Sequence, residues 1–293
     1  MRKYLVYSLL FLLCSVSGMA QTARQQWQLK KNWKFSKGDF PTAANVDFND
    51  DTWQTVTVPH DWAIYGPFDE NNDLQIVAVT QNNEKTATKK TGRTGGLPYM
   101  GIGWYRNMFD VPNFDKTTTS VSLVFDGAMS EARVFVNGKE AIFWPLGYNS
   151  FHVDVTDLLT NDGKGNVVAV RLENKEQSSR WYPGAGLYRN VNVVVTNNAH
   201  VPVWGTYITT PFVSEAYASV RLQTQLANVP VGTEVKMVTE VQDMAGVVVS
   251  TKQTVQKLFR DLPYEQNFVV DNPQLWSPEA PVLYKKKKKI YLK

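Results

Sequence analysis

The chain of 293 residues has a single cysteine, Cys14, and only three histidines. One thiol excludes a disulfide framework, and no imidazole spacing matches a transition-metal site. No metal and no organic cofactor is expected. Long hydrophobic runs are missing as well. The apolar stretch at residues 4–13 is shorter than the roughly 20 apolar residues needed to cross a bilayer. It follows Arg2 and Lys3, and the small residues Gly18 and Ala20 lie just before Gln21. A basic start, a short apolar core and a small-x-small exit read as a cleavable secretory signal over residues 1–20. Export to the periplasm or the outside of the cell is expected, with no membrane attachment after cleavage. A lipid anchor on Cys14 is the weaker reading, because bulky Leu12 and Leu13 precede it.

An anionic partner is also lacking in motive. The formal charge is +4, but Arg2, Lys3 and the five lysines at 285–289 supply seven positive charges, and without them the body stands at −3. No basic stripe is left to track a phosphate backbone, so nucleic acid is excluded as a partner. Amphipathic helices are scarce too. The nearest, at residues 155–159, is little more than a turn.

What is present is period-2 alternation. Val121-Ser-Leu-Val-Phe125, Ala132-Arg-Val-Phe-Val136, Asn166-Val-Val-Ala-Val-Arg-Leu172 and Val191-Asn-Val-Val-Val195 read as strands. Asp126-Gly127, Asn137-Gly138 and the cluster at 161–165 punctuate them, Asn137-Gly138 being a type I′ hairpin signal. Many short strands with regular turns predict an all-β fold, with a jelly-roll β-sandwich over residues 21–202. Alternation resumes in Tyr207-Ile-Thr-Thr210, Tyr217-Ala-Ser-Val-Arg-Leu222, Glu234-Val-Lys-Met-Val-Thr-Glu-Val241 and Val247-Val-Val-Ser250. A smaller immunoglobulin-like sandwich is therefore predicted over residues 203–293, with no cysteine pair to mark it.

Two stretches depart from this pattern. Residues 67–98 are polar, glycine-bearing and long, as functional or disordered loops are; no Gly-Lys-Ser/Thr and no helix follow, so a phosphate loop is excluded. Near the end, Lys285 to Lys289 interrupt what should be a strand from Leu283 to Leu292. Like charges pair poorly in a sheet. The run is expected to break the second sandwich, either as a solvated tail or as the mark of a reading-frame slip that truncates the product.

Side chains that could carry chemistry are few. His60 and Asp61 invite an acid–base reading, yet neighbours on a strand point to opposite faces, which favours a structural role before Trp62. Tyr99, Trp104, Tyr105 and Arg106 read as core and rim of a sheet, with Gly101 and Gly103 giving a close backbone approach at a bulge. Asp47, Asn49, Asp50 and Asp51 lack the glycine and closing glutamate of a calcium loop, and read as a turn into Trp53.

Five blocks in order resemble glycoside hydrolase family 2, of the β-galactosidase type. They are Val58-Pro-His-Asp-Trp-Ala-Ile64, Thr94-Gly-Gly-Leu-Pro-Tyr-Met-Gly-Ile-Gly-Trp-Tyr-Arg106, Phe125-Asp-Gly127 with Val134-Phe-Val-Asn-Gly138, Ser179-Arg-Trp-Tyr-Pro-Gly-Ala-Gly-Leu-Tyr-Arg-Asn-Val191, and Asn272-Pro-Gln-Leu-Trp-Ser-Pro278 with Pro281-Val-Leu-Tyr284. The resemblance implies a sugar-binding jelly roll, an immunoglobulin-like domain and then a barrel. In that family the barrel carries two glutamates, and a retaining hydrolase needs this pair about 5–5.5 Å apart. A barrel takes about 250 residues, far more than follow position 203, so the catalytic TIM barrel is expected to be absent, with no catalytic residue here and no activity alone.

The resemblance also places Arg180 toward a terminal sugar, where its guanidinium would donate to hydroxyls, or else hold a carboxylate in its own loop. Trp181 and Tyr182 either stack on a sugar ring or, the favoured reading, pack a turn beside Pro183 and Gly184. The expected partners are a β-galactoside or related glycan and the chain's own barrel. The alternative is a free-standing, lectin-like carbohydrate-binding protein.

Overall fold

The computed structural model describes residues 24–69, 71–72, 75–77, 88–90, 99–176, 184–259 and 262–293. Strands dominate it, and among the described residues helix is limited to two 3-10 turns, Pro41–Ala44 and Thr156–Leu158.

Among the described residues twelve strands precede residue 198: β1 (Arg24–Gln28), β2 (Trp33–Lys37), β3 (Gln54–Val56), β4 (Gln75–Val77), β5 (Thr88–Lys90), β6 (Gly101–Phe109), β7 (Thr119–Phe125), β8 (Ala132–Val136), β9 (Lys139–Trp144), β10 (Phe151–Asp154), β11 (Asn166–Asn174) and β12 (Val191–Asn197). They form a four-stranded sheet, β1-β12-β7-β10, and a six-stranded sheet, β3-β2-β6-β11-β8-β9. The two sheets face each other across a core, and alternation decides which side chains enter it. On β11, Val168, Val170 and Leu172 join the main core with Trp33, Tyr105, Leu123 and Phe125. Ala169, pointing the other way, joins Trp104, Trp53, Ala43 and Ala44 under the outer face. That second layer explains why the middle of β6 and the first half of β11 are buried on both faces, while Arg171 and Glu173 stay half-exposed farther along β11.

Asn137 and Gly138 both have positive φ, +50° and +82°, as the type I′ turn between β8 and β9 demands. The polar stretch at 67–98 holds a short antiparallel ladder, β4 with β5, where the sequence suggested only loop. The bulge expected at Gly101 and Gly103 does not form, since β6 and β11 stay in register from Gly101 to Phe109. Gly103 instead leaves room for an indole: a Cβ there would sit 2.6 Å from Trp62 Cζ3.

Six further strands follow: β13 (Thr206–Val213), β14 (Tyr217–Thr224), β15 (Glu234–Gln242), β16 (Val248–Lys257), β17 (Tyr264–Asp271) and β18 (Lys285–Leu292). They make two three-stranded sheets, β13-β14-β17 and β16-β15-β18. The lysine run does not break the second of these. It is β18, antiparallel to β15 with Lys285 opposite Gln242 and Leu292 opposite Val235. Alternation disperses the charge. Lys285, Lys287 and Lys289 are exposed, with Lys289 3.8 Å from Glu240. Lys286 and Lys288 turn inward, where Lys288 Nζ donates to Thr206 Oγ1 at 2.7 Å and Thr224 Oγ1 at 2.9 Å. The repulsion anticipated between neighbouring lysines is reduced because successive side chains leave on opposite faces.

Candidate functional site

The segment after β3 builds a cleft of about 480 Å³ at the edge of the six-stranded sheet, lined by Gln54, Pro59, His60, Asp61, Tyr65 and Tyr188. Buried Val58, a cis Val58–Pro59 bond and the hydrogen bond from His60 N to Leu187 O (2.8 Å) fix the chain there. The His60 ring packs edge-on to Phe35, with centroids 4.9 Å apart, and its Nδ1 lies 2.7 Å from the Tyr105 hydroxyl. Burial lowers the His60 pKa. Asp61 opposes that shift and Lys37 adds to it, so the ring is neutral near pH 7. Burial raises the Tyr105 phenol well above its ordinary value. The pair therefore shares a neutral hydrogen bond rather than an ion pair.

Asp61 has a different task. Its Oδ1 accepts from Ala63 N at 2.9 Å, an Asx turn that carries the chain past Trp62 into the core. The structural reading of both residues thus has a geometry, while both still line the cleft. Arg180, Trp181 and Tyr182 lie outside the described residues. The flanks of their segment are described: Asn174 Nδ2 donates to Gly184 O at 3.2 Å, and Gly186 pairs with Met129 by two backbone hydrogen bonds. Gly186 has φ +97°, and a Cβ on it would collide with the Tyr105 hydroxyl and with His60 O. This glycine lets the 184–188 segment lie directly against the His60 turn.

Two aromatic members of the cleft were not singled out from the sequence. Tyr65 is 78% exposed, with its ring roughly parallel to His60 at 6.5 Å. Tyr188 donates its hydroxyl to Gly147 O at 2.8 Å, with the Arg189 guanidinium 5.4 Å from the ring centre. A tyrosine held in a turn outside any alternating run was the available signal for each. Exposed aromatic faces beside hydrogen-bonding groups suit a sugar, whose C–H face is apolar and whose hydroxyls seek partners. Bond cleavage by paired carboxylates is not assembled there, because Asp61 is the one carboxylate lining the cleft among the described residues. The acidic turn before Trp53 serves the core: Asp51 N donates to Asn49 Oδ1, and Asp50 binds buried Arg106 at 2.7 Å. Among the described residues, no group of three or more His, Cys, Asp or Glu side chains could hold a metal.

Residues 199–291 match the family model of glycosyl hydrolases family 2. A β-galactosidase of Bacteroides ovatus is 36% identical over 275 residues, which cover 92% of this chain and 30% of that protein. The chain belongs to glycosyl hydrolase family 2. A putative β-glucuronidase of Formosa agariphila is 31% identical over 285 residues, 96% of this chain and 25% of that protein. The crystal structure of a family 2 member from Bacteroides cellulosilyticus superposes with a TM-score of 0.76 at 29% identity, covering 91% of this chain and 33% of that one. Both sandwiches therefore fall within the family likeness that the five sequence blocks suggested. The chain spans a third or less of the length of these relatives.

Proposed function

We propose that this chain is the non-catalytic front part, a sugar-binding jelly roll followed by an immunoglobulin-like domain, of an exported family 2 glycoside hydrolase of the β-galactosidase type. The observation that carries this reading is the mismatch of coverage: nearly all of this chain aligns, against 30% of a β-galactosidase. Residues 1–20 act as the export signal. The glycosidic bond is cut by two glutamates of a barrel, one attacking the anomeric carbon while the other protonates the leaving oxygen. The sandwich contributes a wall to the sugar pocket. Arg180 donates to sugar hydroxyls, and Tyr65 and Tyr188 offer ring faces beside neutral His60.

Purified mature chain, incubated with a chromogenic β-galactoside, is expected to give no turnover above buffer. Turnover by this chain would overturn the assignment. The same preparation separates the lectin-like alternative: saturable galactoside binding that weakens in Arg180→Ala would favour it, and no binding at millimolar sugar would remove it.

A further inference from the structure

A second cleft, of about 410 Å³, lies where the two sandwiches meet, and its lining includes Arg24, Asn197, His200, Leu226, Lys288 and Ile290. Arg24 opens β1 and gives one guanidinium nitrogen to Val201 O at 3.0 Å. Lys288 reaches in from β18, with two of its three donors on Thr206 and Thr224. His200 Nδ1 donates to Asn198 O at 2.7 Å. Among the described residues no acidic side chain lines the cleft, and no described carboxylate pairs with Arg24 or Lys288. Two cations thus face one water-accessible space with no counter-charge among the described residues.

We propose that this junction is a binding site for a small oxyanion, such as sulfate, phosphate or a carboxylate, held between the guanidinium of Arg24 and the ammonium of Lys288. Planar or tetrahedral oxygens match the guanidinium fork. The apolar wall of Leu226 and Ile290 lowers the local dielectric and so strengthens the attraction. Burial, with Lys286 and then Arg24 repelling the charge, brings the Lys288 amine down to about 7. An anion in the cleft opposes that repulsion and stabilises the charged amine. The charged or titratable groups around Lys288 are Lys286 on its own strand, Arg24 on β1 and His200 in the connection. β13, β14 and β15 turn Thr206, Thr224 and Thr239 toward it. Binding should therefore be tighter at pH 6.5 than at pH 8.5.

The test is calorimetric titration of the mature chain with sodium sulfate, sodium phosphate and sodium acetate, at ionic strength matched with chloride. Saturable binding is expected at pH 6.5, weakened about tenfold or more in both Lys288→Met and Arg24→Gln, the loss of one charge-assisted hydrogen bond in each. Circular dichroism checks that both variants fold. Tighter saturation by acetate than by sulfate or phosphate assigns the site to carboxylates, and the reverse order to inorganic oxyanions. No saturable heat, or equal affinity in the wild type and both variants, overturns the proposal. Non-specific stabilisation by sulfate through its exclusion from the surface would be non-saturable and indifferent to these residues.

Discussion

The two sandwiches are held together by different means. In the first, Trp33, Phe35, Trp62, Tyr105, Phe125 and Phe151 are buried in one continuous apolar core, and the rings of Phe35, Trp62 and Tyr105 lie within 4.8–6.2 Å of one another. In the second, the contiguous buried cluster shrinks to Val235, Met237 and Tyr264, with Leu222, Val241 and Val270 buried apart from it. Its interior is instead laced by polar contacts: Thr239 Oγ1 to Gln266 Oε1 at 2.6 Å, Gln266 Nε2 to Thr254 Oγ1 at 2.9 Å, Tyr264 OH to Val235 O at 3.2 Å, and Lys288 to two threonines. Apolar burial yields about 25 cal/mol per Å² without regard to angle. A net hydrogen bond yields only about 0.5–1.5 kcal/mol and demands geometry. Volume specifies the first domain and directionality the second.

The largest expected effect comes from a charge buried in the first sandwich. Arg106 is 3% exposed on β6; it binds Asp50 and donates to the carbonyls of Ala43, Asn45 and Val46. Arg106→Met keeps most of the volume but strands the Asp50 carboxylate and those carbonyls. A loss of about 3–5 kcal/mol is expected, as for removing one partner of a buried ion pair. Urea unfolding followed by Trp fluorescence measures it. A loss below about 1 kcal/mol would show that volume alone suffices even there.

A smaller loss tests the other half of the comparison. Thr239 is fully buried on β15, and its hydroxyl is within hydrogen-bonding distance of the Gln266 amide. Thr239→Val is close to isosteric, so it removes a hydrogen bond without opening a cavity. The buried Gln266 Oε1 is left unsatisfied, at a cost of about 1–3 kcal/mol. Hydrogen exchange of amides in β14, β15 and β17 should accelerate while β7, β11 and β12 stay protected. Unchanged exchange in the second sandwich would mean that its polar interior is incidental.

This contrast governs what could be read from the sequence. β8, β14 and β15 announced themselves because burial alternates along them, β7, β11 and β12 through short runs rich in Val bounded by turn residues, and the Asn137-Gly138 turn is a local signal. β6 was legible only as core and rim of a sheet: Gly103 to Asn107 is buried on both faces, and the carboxylate that satisfies Arg106 lies 56 residues away. The lysine strand was misread for the same reason. Whether Lys288 can turn inward depends on Thr206 and Thr224, contributed by two other strands. At the cleft, His60 and Asp61 were legible as a pair. The hydrogen-bond partner of the His60 ring, the Tyr105 hydroxyl, comes from β6, 45 residues on.

The smallest expected effect separates the two domains by pH. The folded Lys288 amine sits at about 7, against 10.5 for the ordinary side chain. Between those values the unfolded chain holds a proton that the folded chain has released, so the second sandwich gains stability as pH rises from 7 to 10.5 and is indifferent to this group below 7. His60 has its folded pKa lowered by burial, so the first sandwich loses stability as pH falls below 6.5, where the unfolded chain takes up the proton first. Both groups are only half-buried, and water screens their contributions to shifts smaller than those of the two substitutions above. Melting curves in low salt should therefore show an alkaline rise that Lys288→Met flattens and an acid fall that His60→Gln flattens, each leaving the other untouched. A single shift shared by both domains and moved by either variant would mean that the sandwiches unfold as one unit, and the contrast between their interiors would then govern local opening alone.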